Sequence, residues 1–157
     1  MLEKMKMIWQ DAKQLKDERG LTLVELLVVV VILGIIAAIA VVAIGGIIEN
    51  SKKDAMVSDA RQMISSAKLY TASSPLGTAE SKTMDFVGPI ADTEIDGTKY
   101  LDNLKDPFGT NYSKAEVVIT ESAGKYTYTV ALKGGKELKV GEVTALSEAQ
   151  LKKDNVK

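Results

Sequence analysis

Residues 26–48 read LLVVVVILGIIAAIAVVAIGGII, an unbroken run without a charged or strongly polar side chain. About 20 apolar residues suffice for a helix to cross the hydrocarbon core of a bilayer, and this run exceeds that length. Val and Ile lower helix propensity in water. In lipid the balance changes, because each unpaired backbone group is costly and a helix pairs them all within one segment. The stretch predicts a transmembrane helix. The 46% apolar content of the chain is concentrated in this block, and the remainder is rather polar.

A cleavable secretory signal is the competing reading, with Ala38-Ile39-Ala40 as an AxA-like site. Signal peptides have apolar regions of about 7–15 residues. This run is longer and continues through Val41, Val42 and Ile44. Upstream, Lys4, Lys6, Lys13, Lys16 and Arg19 stand against Glu3, Asp11, Asp17 and Glu18. Basic residues flanking a span stay in the cytoplasm, and acidic ones count for little. The N-terminus is therefore expected inside and the chain beyond Ile48 outside, although Lys52 and Lys53 oppose that orientation mildly. Met5, Ile8, Trp9 and Ala12 fall at helical spacing. Two readings of the leader stay open: a short amphipathic helix on the inner leaflet, or a disordered segment with incidental periodicity.

The 157 residues suit one modest domain plus an appendage. A net charge of −1 gives no footprint for nucleic acid. The chain has no Cys and no His, which removes disulfides, thiol nucleophiles, the commonest general base and the commonest metal ligand. No group of nucleophile, base and oxyanion donor stands out. No catalytic residue, cofactor or metal is assigned.

Glu25 is the exception to an uncharged stretch that starts after Gly20. A charge at the centre of a bilayer costs about 2.5–3.5 kcal/mol on insertion scales, and less near the interface. Hydration at headgroup level is one explanation. The surrounding residues offer another. Arg19-Gly20-Leu21-Thr22-Leu23-Val24-Glu25-Leu26-Leu27 resembles the processing site of type IV prepilins and type II secretion pseudopilins. The likeness continues through Gly34 and Ala37-Ala38-Ile39-Ala40, and covers about residues 19–48.

The resemblance implies a sequence of events. A membrane aspartic peptidase, the prepilin peptidase, would cut between Gly20 and Leu21 and methylate the new amine of Leu21. Glu25, with Thr22 beside it, would serve assembly by pairing with that amine on a neighbouring copy. An opposite charge stabilises a carboxylate in a low-dielectric setting, and a mis-staggered copy would leave it unpaired. Gly34, Ala37 and Ala38 would allow close helix packing. Two positions depart from the family pattern. Leu21 stands where Phe is usual, and Val42 stands where many pilins have a helix-kinking Pro. Gly45-Gly46 is the nearest flexible point.

Beyond Ile48 the pattern becomes amphipathic, with Ala55, Met56, Ala60, Met63, Ile64, Ala67 and Leu69 near helical spacing. One long helix is expected from about residue 21 to about 70, ended by Ala72-Ser73-Ser74-Pro75-Leu76-Gly77. Residues 76–114 read mostly as loop. Three alternating runs, 115–120, 125–132 and 136–140, predict strands joined at Ala123-Gly124 and Gly134-Gly135. Ser147 and Gln150 form a capping box for a short C-terminal helix with Lys152 and Lys153 at its end.

Residues 100–112, with Asp106-Pro107-Phe108-Gly109 and Tyr112, resemble the Asp-Pro-Trp-Gly-Asn-x-Tyr segment of major pseudopilins. Calcium sites in that family use acidic residues after the last hairpin. Leu132-Lys133-Gly134-Gly135-Lys136 supplies no carboxylate, and Asp102 and Asp106 alone make a poor calcium site.

The fold expected is α+β: a long N-terminal helix, transmembrane in its first half, packed on a small antiparallel sheet in the type IV pilin manner. The domains expected are a cleaved cytoplasmic leader (1–20), a transmembrane and assembly helix (21–48), its amphipathic continuation (49–74) and an extracytoplasmic globular domain (75–157). The precursor would be a single-pass protein of the cytoplasmic membrane, and the mature form an extracytoplasmic filament. The resemblance implies the peptidase, further copies of this chain, minor pilins, a membrane platform protein, an assembly ATPase and the bilayer as partners. No nucleic-acid site is evident. An anchored binding domain that does not polymerise is the alternative. Secretion, DNA uptake, adhesion and motility machines share the helix, so the sequence does not choose among them.

Overall fold

A computed structural model describes residues 2–17, 22–102, 104–109 and 111–157. The chain divides into two units, Met1–Gly46 and Ile47–Lys157. The first holds helix α1 (Leu2–Asp17) and the opening part of helix α2 (Leu23–Ser73). The leader is thus helical over most of its length. α2 ends three residues later than the periodicity predicts, and it stays helical across Gly45-Gly46.

Within the first unit the apolar side chains of α2 are exposed, from Leu26 through Ile36, Ile39, Val41 and Val42 to Ile44. α2 is long and apolar enough to cross a membrane. Such a surface is unfavourable in water and matched to lipid, where the backbone is already paired.

In the second unit α2 has one buried face: Met56, Ala60, Met63, Ile64, Ala67 and Thr71. The three- and four-residue spacings place them on one stripe. The stripe packs on a five-stranded sheet of order β2-β1-β3-β4-β5. Its strands are β1 (Ser81–Asp85), β2 (Ile95–Asp96), β3 (Lys114–Ser122), β4 (Lys125–Lys133) and β5 (Leu146–Ser147). β3 buries Ala115, Val117 and Ile119 at alternate positions, as a pleated strand with one solvated face must. Met84, Phe86, Tyr112, Val130, Leu132, Leu138, Leu146, Leu151 and Val156 complete the core.

The β3–β4 hairpin turns at Ala123 and Gly124, both at positive φ (52° and 80°). A two-residue turn of this kind matches the twist of the strands, and glycine takes that conformation without a Cβ penalty. The buried Glu121 secures the turn: its Oε1 accepts the Gly124 N–H at 2.6 Å, and its Oε2 accepts the Ala79 N–H.

Residues 76–114 are mostly loop, as expected, but the short strands β1 and β2 lie within them. β1 is polar apart from Met84, and it forms because β3 presents a free edge that Ser81–Asp85 satisfies in antiparallel register. Two sequence expectations are corrected. Residues 136–140 do not continue the sheet as a third long strand. Thr129 and Val130 of β4 pair with β5, while Glu137 exchanges backbone hydrogen bonds with Lys157 and the Lys139 N–H donates to Asn155 O. The C-terminal helix is one 3-10 turn, Glu148–Gln150, followed by another at Lys153–Asn155. The capping residues behave as read, since Gln150 Oε1 accepts from the Ser147 N–H and hydroxyl, both at 3.0 Å. The buried Leu151 draws the chain into the core before a second helical turn can form.

Candidate functional site

Gly20 and Leu21, the expected cut and methylation positions, lie outside the described residues. The residues next to them form a reciprocal cap on α2. Thr22 Oγ1 accepts the Glu25 N–H at 3.3 Å. Glu25 Oε2 accepts the Thr22 N–H at 2.7 Å and the Thr22 hydroxyl at 2.8 Å. Thr at the cap and Glu three residues on is the pattern that satisfies orphan backbone donors at a helix start. The carboxylate also sits at the positive end of the helix dipole.

The arrangement has a chemical consequence. All three hydrogen bonds of this cap leave Glu25 Oε1 unused, and no cation pairs with Glu25 among the described residues. Oε1 is therefore open to a donor from outside the chain. The Thr22 N–H stays an amide if the peptide bond before Leu21 is cut, so the cap survives such a cut. Glu25 is held in position by its own helix and retains an oxygen for an incoming ammonium group.

Further along α2, Gly34 and Ala38 are four residues apart and share a face, with Ala37 beside them. A Cβ built at Gly34 meets nothing within 4 Å, and the same holds at Gly45 and Gly46. No contact among the described residues requires glycine at these positions.

The Asp106–Gly109 segment does bring residues together. The Gly109 N–H donates to Asp106 O, and Gly109 has φ +86°. Asp106 is 6% exposed. Its Oδ1 accepts the Phe108 N–H at 3.0 Å, and its Oδ2 accepts the Gly135 N–H. These bonds tie the turn to the loop after β4. The buried Tyr112 donates its hydroxyl to Asp59 Oδ2 at 2.7 Å, which docks the same segment on α2. Burial, chiefly, and the nearby Asp106 charge push the Asp59 carboxyl above its usual range, while the Tyr112 bond opposes them. The Tyr112 phenol is raised as well, by burial first and then by Asp59.

Lys52 and Lys136 place their ammonium groups 5.8 and 5.6 Å from the Phe108 ring centre. Lys136 also pairs with Glu49 at 3.1 Å, and Lys53 does so at 3.4 Å. The two lysines, Lys136 first, hold the Glu49 carboxyl below its usual range. Among the described residues no three acidic side chains gather as metal ligands. The structural roles of Asp59 and Glu121 escaped the sequence reading. Glu121, two residues before the Ala123-Gly124 turn, carried a usable signal for its role. Asp59 carried none, because its partner is distant in the chain.

Residues 15–41 match the family model of the prokaryotic N-terminal methylation motif. That motif is typical of type IV pilins and pseudopilins, and it overlaps the part of α2 that is long and apolar enough to cross a membrane. No curated protein and no solved structure matches the chain.

Proposed function

We propose that this chain is the precursor of a structural subunit of a type IV pilus-like filament. A membrane peptidase removes residues 1–20 and methylates the amine of Leu21. The mature subunit then leaves the bilayer through a platform protein driven by an assembly ATPase, and polymerises with further copies and minor subunits through α2. Lipid contacts on residues 26–48 are exchanged for contacts with neighbouring helices, and the small residues Gly34, Ala37 and Ala38 permit close approach.

The observation that carries this reading is the capped Glu25 within the methylation motif. A carboxylate at the head of an apolar helix needs a positive partner. Trimming the precursor creates one at Leu21, and Oε1 of Glu25 is available to receive it from a neighbouring copy. The pairing also sets axial stagger, because a misplaced subunit leaves the acid unpaired.

The test is chemical. Protein sheared from the cell surface is expected to begin at methylated Leu21 by mass spectrometry. Full-length protein that stays in the membrane and never enters sheared material would instead indicate an anchored domain that does not polymerise.

A further inference from the structure

Helix α1 carries an apolar face that nothing in the first unit requires for the cap at Glu25. Leu2, Met5, Ile8 and Trp9 are all exposed. At about 100° per residue they fall within an arc of roughly 120° centred near Met5. Lys4 and Lys6 lie about 100° to either side of that centre, and Glu3, Met7 and Gln10 lie on the far side. Leu2, Met5, Lys6, Trp9 and Gln10 line a shallow concavity that runs from this face around the Lys6 flank.

We propose that the α1 face docks on the lipid surface of the cytoplasmic leaflet, with the helix axis in the membrane plane. The occupant is argued from three features. Asp17 and Leu23 are joined by residues 18–22, a reach of roughly 20 Å at most, and α2 enters the bilayer there. The face is thus tethered at high effective concentration beside lipid, so weak intrinsic affinity suffices. Trp9 has the amphipathic ring that prefers the headgroup boundary. Lys4 and Lys6 flank the face where their stems lie along apolar surface while the ammonium groups reach anionic headgroups. On the filament-precursor reading, on which this consequence rests, docking holds the Gly20–Leu21 bond between two membrane-bound helices and so presents it to a membrane peptidase.

Trp9 is the sole tryptophan of the chain, so its fluorescence reports on the leader alone. The full-length precursor is reconstituted in phosphatidylcholine–phosphatidylglycerol vesicles, with and without bromine on the acyl chains. Docking predicts blue-shifted emission, strong quenching by brominated lipid and weak quenching by acrylamide. Ile8→Glu is expected to reverse all three, while Met7→Glu, on the far side, leaves them unchanged. Trp9 unquenched by brominated lipid overturns the proposal, whether acrylamide reaches it (a leader in water) or not (a face covered by protein). Equal loss in both variants overturns it too. Cleavage after Gly20 by added peptidase is scored separately in the same vesicles. Its absence beside strong bromolipid quenching fails the filament-precursor reading alone, and cleavage without quenching fails the docking alone.

Discussion

Glu25→Gln separates the two jobs assigned to this residue. The glutamine carbonyl oxygen accepts the same hydrogen bonds from the Thr22 N–H and hydroxyl that Oε2 accepts at 2.7 and 2.8 Å. The start of α2 therefore stays capped, and no more than a fraction of about 1 kcal/mol per bond is lost. Removing the charge also favours residence in the membrane, by up to about 3 kcal/mol at mid-bilayer and less at the interface. The variant precursor should accumulate in membranes at least as well as the parent. Assembly should respond differently. An ammonium group buried among helices without its carboxylate costs about 3–5 kcal/mol, a loss of roughly 100- to 4,000-fold per contact at 1.4 kcal/mol per tenfold. Immunoblots comparing sheared filaments with the membrane pool should show filaments below detection and an undiminished pool. Normal amounts of well-formed filament from Glu25→Gln would refute the pairing and leave Glu25 with capping alone.

The remaining predictions concern the Ile47–Lys157 unit, followed by thermal unfolding of the protein in detergent. Asp106→Ala removes the buried carboxylate that accepts from the Phe108 and Gly135 N–H donors. At about 1.5–3 kcal/mol per hydrogen bond to a charged acceptor, the unfolding temperature should fall by roughly 10 °C or more; a shift of a degree or two would contradict the assigned role. Gly134→Ala should be nearly as damaging, because its Cβ would collide with Asp106 Oδ2, and it should be largely relieved in the double variant with Asp106→Ala. Asp59→Asn keeps an acceptor for Tyr112 but removes a group whose folded pKa is raised. A raised carboxyl contributes stability that is fully present below its unfolded pKa and is lost as pH climbs through the folded value. The asparagine variant should therefore gain on the parent as pH rises from about 4 to 7. The groups held low, Glu49, Glu80 and Asp96, act oppositely but equally in both proteins. A difference independent of pH would contradict the assignment.

Residues 26–48 were legible from the chain alone as a helix, because their physics is local: a helix satisfies its own backbone, and lipid asks only for an apolar surface. The Thr22–Glu25 cap, equally local at three residues, was not among the sequence expectations. Most of the amphipathic stripe, Met56, Ala60, Met63, Ile64 and Ala67, and the Ala123-Gly124 turn were readable for the same reason, since periodicity and turn chemistry act over one or two turns of chain; Ala55 and Leu69, expected on the stripe, are exposed. The tertiary structure decided what depends on partners far along the sequence. Ser81–Asp85 became a strand because β3 offered an edge, although its own residues are polar. Residues 136–140 lost their place in the sheet because β5 and the C-terminal residues competed for the same backbone groups. Asp106, Gly134, Tyr112 and Asp59 converge only after the sheet has packed on α2. A carboxylate buried against backbone donors leaves no periodic trace in a sequence, because the groups that satisfy it are chosen by closure of the fold.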